Sequence, residues 1–323
     1  MKYEYKQIDK FHFIEMDNER NLKVYINRNG ATIAAILYKG QLMTMTPINV
    51  REFFKPGVYY GKTIGPIANR VKEGKVDIEG KTYILAPNEG VNALHGGKNG
   101  ISRAEFSVAN FYNKNGYLSV ILRYTSKKGY SDLPGNIIYE IAFTMNDKND
   151  DFDVSLNAMN ENYDCPFSLT NHTFFTLGER DVKDLTLTIP SHRFIETGKD
   201  DLLPLEEKDI IPCLDFNKGK LIGKDIHDPY LQNHKTKGYD HCFILDKKEI
   251  ILEGSTYKLT VTTDFPAVHI YSDNYSDGVK MRNTTLATHR GLAIEPEDNL
   301  LNRKNTYKRS LYSRNIKYVF EEK

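Results

Sequence analysis

The sequence predicts an all-β protein, a large antiparallel β-sandwich with few short helices, on three observations. Short segments of alternating apolar residues recur along the 323 residues. Turn residues punctuate them at regular spacing, and convincing helical periodicity is confined to short stretches near Pro47 to Phe54 and Lys220 to His227. No linker, low-complexity tract or exact internal repeat divides the chain, so one elongated domain over residues 1–323 is expected.

Taken in order, Leu22, Val24 and Ile26 alternate with other residues and lead into Asn29-Gly30, a two-residue hairpin signal. Thr32 to Leu37 supplies the return strand. In the stretch Gly61 to Gly97, Val76 and Ile78 alternate with Lys75, Asp77 and Glu79. Gly80 falls where the chain must reverse, and Thr82 to Leu85 run back. Asn69-Arg70 and Leu94-His95-Gly96-Gly97 flank this hairpin, and the two glycines let the backbone pass close to whatever His95 touches. Phe106 to Phe111 and the alternating Leu118, Val120 and Leu122 meet at an Asn115-Gly116 turn. Gly129 to Asn136 reads as a loop, followed by strands Ile137 to Met145 and Phe152 to Met159. Leu185, Leu187 and Ile189 alternate, and Ile251 to Val261 holds a hairpin around Glu253-Gly254-Ser255. His269 to Tyr271, Leu292 to Ile294 and Ile316 to Phe320 are short apolar strands.

Composition narrows the function classes. Lys plus Arg number 44 against 43 Asp plus Glu, which gives no electrostatic case for nucleic acid or an anionic membrane and suits a neutral small molecule. Met1 to Glu4 opens no signal peptide and no apolar run approaches membrane length, so a cytoplasmic location is expected. Cys165, Cys213 and Cys242 are isolated, with no CxxC pair, and read as reduced thiols rather than a disulfide frame or a zinc site. Tryptophan is absent, so a sugar-stacking platform would be Tyr or Phe.

Polar groups in apolar or β-like surroundings are the candidates for chemistry. Beside Arg70 and His95 these are His172 within Thr170 to Phe175, Asp240 within Lys237 to His241, His269 in a strand, and Glu295 at the end of Leu292 to Ile294. Taken singly, each fits a structural role equally well: a core histidine, a turn-capping aspartate, or a strand-edge acid in water.

Taken together, they resemble the aldose 1-epimerase (galactose mutarotase) family over nearly the whole chain, from about Leu22 to Phe320. The matching motifs are Asn69-Arg70, Leu94 to Gly97, Thr170 to Phe175, Gly238 to His241 and Leu292 to Glu295, with the Tyr130 to Asn136 loop between them. The resemblance implies a galactose mutarotase-like supersandwich with an open sugar cleft. It also implies interconversion of the α and β anomers of a free, galactose- or glucose-like aldose, without cofactor or metal. Glu295 would be the general base and His172 the general acid. His95, Arg70, Asp240 and Asn69 would bind the sugar, with Arg70 favouring an ionised Glu295 or orienting a hydroxyl. The partner is then a monosaccharide, acted on by a monomer or homodimer. Four positions depart from the family pattern: Thr176, Cys242 and Glu297 where Asn, Asn and Gln are usual, and His269 where Gln is frequent.

The chemistry suits these residue types. Opening a hemiacetal requires a proton removed from the C1 hydroxyl and one delivered to the ring oxygen, and a carboxylate with an imidazolium does both. An unperturbed imidazole holds either state near neutrality, and activity is expected to fall on the acid side as Glu295 is protonated. Rival readings are less economical. A two-carboxylate glycosidase needs Asp240 to face Glu295 and leaves both histidines idle. A metal triad of His95, His172 and Glu295 lacks any HxH or HxxxH pair. A non-catalytic sugar-binding sandwich does not require Glu295 and His172 together. A sugar-phosphate 1-epimerase calls for a basic cluster beyond Lys237 and Arg290.

Overall fold

The computed structural model describes residues 1–8, 11–127, 132–301 and 311–323, and they form an almost purely antiparallel β protein. A nine-stranded sheet runs in the order Ser107–Lys114, Tyr117–Ser126, Ile137–Asn146, Asp151–Asn160, Tyr312–Glu322, Tyr257–Thr263, Glu249–Glu253, Thr186–Thr188, Lys220–Leu221. A five-stranded sheet holds Lys2–Ile8, Phe11–Asp17, Leu22–Asn27, Thr32–Tyr38 and Gln41–Leu42 in chain order. A six-stranded sheet runs Phe174–Phe175, Leu292–Glu297, Ala267–Tyr271, Asp240–Ile244, Arg193–Thr197, Pro204–Asp209.

Side-chain alternation explains the layering. In Ile137–Asn146 the residues Ile137, Tyr139, Ile141, Phe143 and Met145 are at most 1% exposed while the residues between them face outward, the period-2 pattern of a strand with one dry face. One contiguous apolar cluster draws on all three sheets, joining Ile14 and Met16, Leu156 and Ile316, and Val268 and Ile294.

The sharp turns at Asn115-Gly116 (φ 55° and 78°) and Glu79-Gly80 (φ 49° and 78°) are the left-handed pairs that two-residue hairpins demand. Asn29-Gly30 does not behave this way. Its strands are joined by four residues, because Gly30 donates to Ala104 O and Asn29 bridges to Glu105 instead of closing a tight hairpin. The expected helices reduce to single 3₁₀ turns, Val50–Phe54 and Ile222–Lys224. The α-helical turn Pro229–Gln232, capped by Asp228, follows the second. Strands Lys2–Ile8 and Pro204–Asp209, which escape sequence reading, are both largely exposed sheet edges. Of the Tyr130 to Asn136 loop, residues 130 and 131 lie outside the described residues. No helix among the described residues is long and apolar enough to cross a membrane.

Candidate active site

Asn69, Arg70 and His95 are brought together by a two-residue ladder in which Arg70 lies opposite Leu94, and His95 N–H donates to Asn69 O at 3.0 Å. Asn69 and His95 both adopt left-handed backbone (φ 60° and 53°), a conformation costly for residues with a Cβ and concentrated at functional sites. The glycines after His95 serve packing rather than ligand approach. A Cβ on Gly96 would stand 2.2 Å from Gly65 O, and one on Gly97 would stand 2.4 Å from Ala86 O.

His172 is clamped between two strand fragments, Thr170–Asn171 and Phe174–Phe175. Its N–H donates to Lys62 O at 2.8 Å and its carbonyl accepts from Gly61 N at 2.9 Å. Asp240, His269 and Glu295 come from three adjacent strands of the six-stranded sheet, with His269 directly opposite Glu295. Glu295 is therefore not a strand-edge acid in water: it sits inside Leu292–Glu297 and is 3% exposed.

All six predicted residues, Asn69, Arg70, His95, His172, Asp240 and Glu295, line one open cleft of about 310 Å³. Its aromatic walls are Tyr59, Phe174, Tyr271 and Tyr275. His172 Nε2 stands 3.4 Å from Glu295 Oε1. Arg70 forks onto Glu89, with Nε to Oε2 at 2.7 Å and Nη2 to Oε1 at 3.1 Å. Its Nη1 is 3.8 Å from Asp240. The guanidinium is thus tied to Glu89 and Asp240 and reaches Glu295 only as a minor electrostatic influence. Asn69 Oδ1 accepts from Arg70 N at 2.9 Å and its Nδ2 lies 3.0 Å from His269 Nδ1, so this amide holds its neighbours in place. Arg290 is no phosphate ligand in waiting. It is 1% exposed and bound to Asp273, Asp277 and the carbonyl of Val279.

Burial dominates the electrostatics. It pushes the Glu295 carboxyl well above the usual range, with Glu297 and Asp240 adding to the effect and His269 opposing it. It drives His172 down to about 3 and His95 well below its ordinary value, the latter helped by His172 and Arg70. Asp240 is also buried, but its hydrogen bond to His269 and the charge of Arg70 outweigh burial and hold it low. His269 is raised despite burial by its 2.6 Å contact to Asp240, with Cys242 and Glu297 contributing.

Among the described residues, two groups of buried donors have metal-like spacing: His95, His172 and Glu295, and Cys242, His269 and Glu297. The first is poorly suited to a cation. The backbone N–H of Asn69 donates to His95 Nδ1 at 3.2 Å, so neutral His95 carries its proton on Nε2 and faces the cleft as a donor. That tautomer suits a sugar hydroxyl.

Sequence reading missed Tyr59, Glu89, Tyr271 and Tyr275; it singled out His269 as a polar group in a strand and as a departure, but gave it no role in the site. Glu89 carried no signal, since nothing local marks an acid that will fork onto an arginine 19 residues earlier. Strand pairing supplies the place of His269, directly opposite Glu295.

The architecture is that of the galactose mutarotases. The structure superimposes on the galactose 1-epimerase of Lactobacillus acidophilus with a TM-score of 0.88, covering 99% of each chain at 23% identity. The aldose 1-epimerase family model matches residues 12–305. Relatives include an aldose 1-epimerase of Escherichia coli, 30% identical over 74% of this chain and 70% of that protein. The galactose mutarotase of Sus scrofa is 27% identical over 86% of this chain and 82% of its own. The chain belongs to the aldose 1-epimerase family, and it is an isomerase.

Proposed function

We propose that the cleft interconverts the α and β anomers of a free monosaccharide, with Glu295 acting on the C1 hydroxyl and His172 on the ring oxygen. The observation that carries this reading is the buried His172–Glu295 contact at 3.4 Å on the wall of an open polar cleft. Burial drives the imidazole toward its neutral form and the carboxyl toward its protonated form, so the free pair holds one proton in a charge-neutral state. A bound aldose presents a hydroxyl donor to Glu295 and an ether acceptor to His172, which selects the tautomer with carboxylate and imidazolium. Glu295 then takes the C1 hydroxyl proton as His172 protonates the ring oxygen and the C1–O5 bond breaks. Rotation about C1–C2 exposes the other carbonyl face. Closure returns both protons, and the same pair is ready for the next turnover.

The surrounding groups bind. His95 donates from Nε2, Asp240 accepts as a carboxylate, and Arg70 is held by Glu89 to present its guanidinium edge. Asn69 orients Arg70 and His269. Tyr59, Tyr271 and Tyr275 supply the apolar faces that sugar rings cover. We place the enzyme in the cytoplasm as a monomer or homodimer of one domain. The test is NMR exchange between anomers across a panel of pure aldoses and their phosphates. Catalysed exchange of at least one free aldose is expected. No acceleration over buffer for any member would remove the reading.

A further inference from the structure

We propose that Cys242, His269 and Glu297 form a binding site for a zinc-type divalent cation just beneath the wall of the cleft. Cys242, His269 and Glu297 meet here although they lie on three separate strands. Cys242 is opposite His269 in one ladder. His269 is opposite Glu295 in the next, and Glu297 follows two residues further along the same strand. Their donor atoms all fall within 4.8 Å of one another. A thiol, an imidazole and a carboxylate are the donor set of zinc. The lack of a CxxC pair argues only against ligands from one turn, not against ligands from three strands.

Among the described residues, the local polar contacts leave one buried carboxylate oxygen without a partner of good geometry. His269 Nε2 lies 2.6 Å from Asp240 Oδ1, which aims Nδ1 toward the other two donors in the manner of carboxylate–histidine–metal arrangements. Nδ1 meets Asn69 Nδ2 at 3.0 Å and Glu297 Oε1 at 3.5 Å. A proton on Nδ1 satisfies the carboxylate and opposes the amide nitrogen, and a lone pair does the reverse. Glu297 is 1% exposed, and its Oε1 has no hydrogen-bond partner among the described residues. An ion accepting from Nδ1, Sγ and Oε1 satisfies ring and carboxylate at once. Its two positive charges are balanced by one thiolate and one carboxylate. The fourth position falls to a water.

The ion reaches the site through the cleft, where His269 is the member of the trio that lines the wall.

The experiment uses the full chain stripped with a chelator and titrated with Co²⁺, then with Zn²⁺ in competition. The expected result is one ion per chain with a thiolate-to-cobalt charge-transfer band. Cys242→Asn should abolish the band, and Glu297→Gln should weaken binding by about 10-fold or more. A thermal melt of each variant confirms folding. His95→Gln should leave cobalt binding unchanged. Cobalt bound without the thiolate band, equal affinity in Cys242→Asn and the parent, or loss of binding in His95→Gln would each overturn the assignment.

Discussion

His172 Nε2 and Glu295 Oε1 face each other at 3.4 Å in a site where both side chains are almost wholly buried. Burial lowers the imidazole and raises the carboxyl, so the two behave as a single acceptor–donor unit holding one proton. This changes the expected pH profile. The pair gains a second proton only near the depressed value of His172, about 3, and loses its one proton as pH rises through the elevated value of Glu295. Turnover should therefore show no acid limb in the ordinary carboxylate range and should decline on the alkaline side. NMR anomer exchange across the pH range of the folded protein measures this. A fall in rate near the unperturbed carboxylate pKa, about 4.3, would contradict the shared proton.

His172→Asn should lower the exchange rate by about 10²-fold or more while leaving the fold and sugar affinity near their parent values. Asparagine fits the space and retains a donor, but it cannot shuttle a proton to the ring oxygen. The measurement is exchange rate beside a binding titration. A variant with parental turnover would take His172 out of the mechanism.

The sheet architecture was legible in part where one strand face is dry, although Phe11–Asp17 and Arg193–Thr197, which also bury apolar residues, were not read. Ile137, Tyr139, Ile141, Phe143 and Met145 announce their strand through alternation. Lys2–Ile8 was not read, since its Tyr3 and Tyr5 alternate but stay largely exposed at the sheet edge. The six site residues were legible only as a set, through the order of their motifs. What could not be read was how they are held. Glu89 under Arg70, Asp240 on His269 and the cluster behind Glu295 depend on cross-strand register, and register has no local signature.

Arg290 fixes the segment that brings Asp273 and Asp277 to the cleft. Its Nε donates to Asp273 Oδ2 at 2.6 Å, its Nη2 to Asp273 Oδ1 at 3.0 Å, and its Nη1 to Asp277 Oδ1 at 2.9 Å. Arg290→Met keeps much of the volume but strands Asp273, itself 4% exposed. A loss of about 3–5 kcal/mol in unfolding free energy is expected from the uncompensated buried charge. Denaturant melts decide it, and a change within experimental error would show that water compensates Asp273.

Glu295→Gln separates chemistry from binding and from stability in one variant. Glutamine preserves length and still hydrogen-bonds a C1 hydroxyl, so sugar affinity should change little. It accepts no proton, so exchange should approach the spontaneous rate, with the loss in turnover rather than in affinity. The alkaline limb should vanish with it. Stability supplies an independent readout. The folded-state pKa of Glu295 lies above its unfolded value, so between the two the native state binds the extra proton. Unfolding free energy therefore falls as pH rises from the unfolded value, about 4.3, through the raised native one. Glutamine removes that proton, so the variant should lose less stability over the same interval and should equal or exceed the parent at its upper end. Exchange, sugar titration and melts are run together in chelator-containing buffer. Normal binding with near-parental exchange would exclude Glu295 as the base and leave Asp240, the other carboxylate of the cleft wall adjoining His269, as the first replacement to test. Abolished exchange with an unchanged pH slope of stability would instead mean that Glu295 is already ionised in the free enzyme, and the shared-proton account of the pair would be wrong.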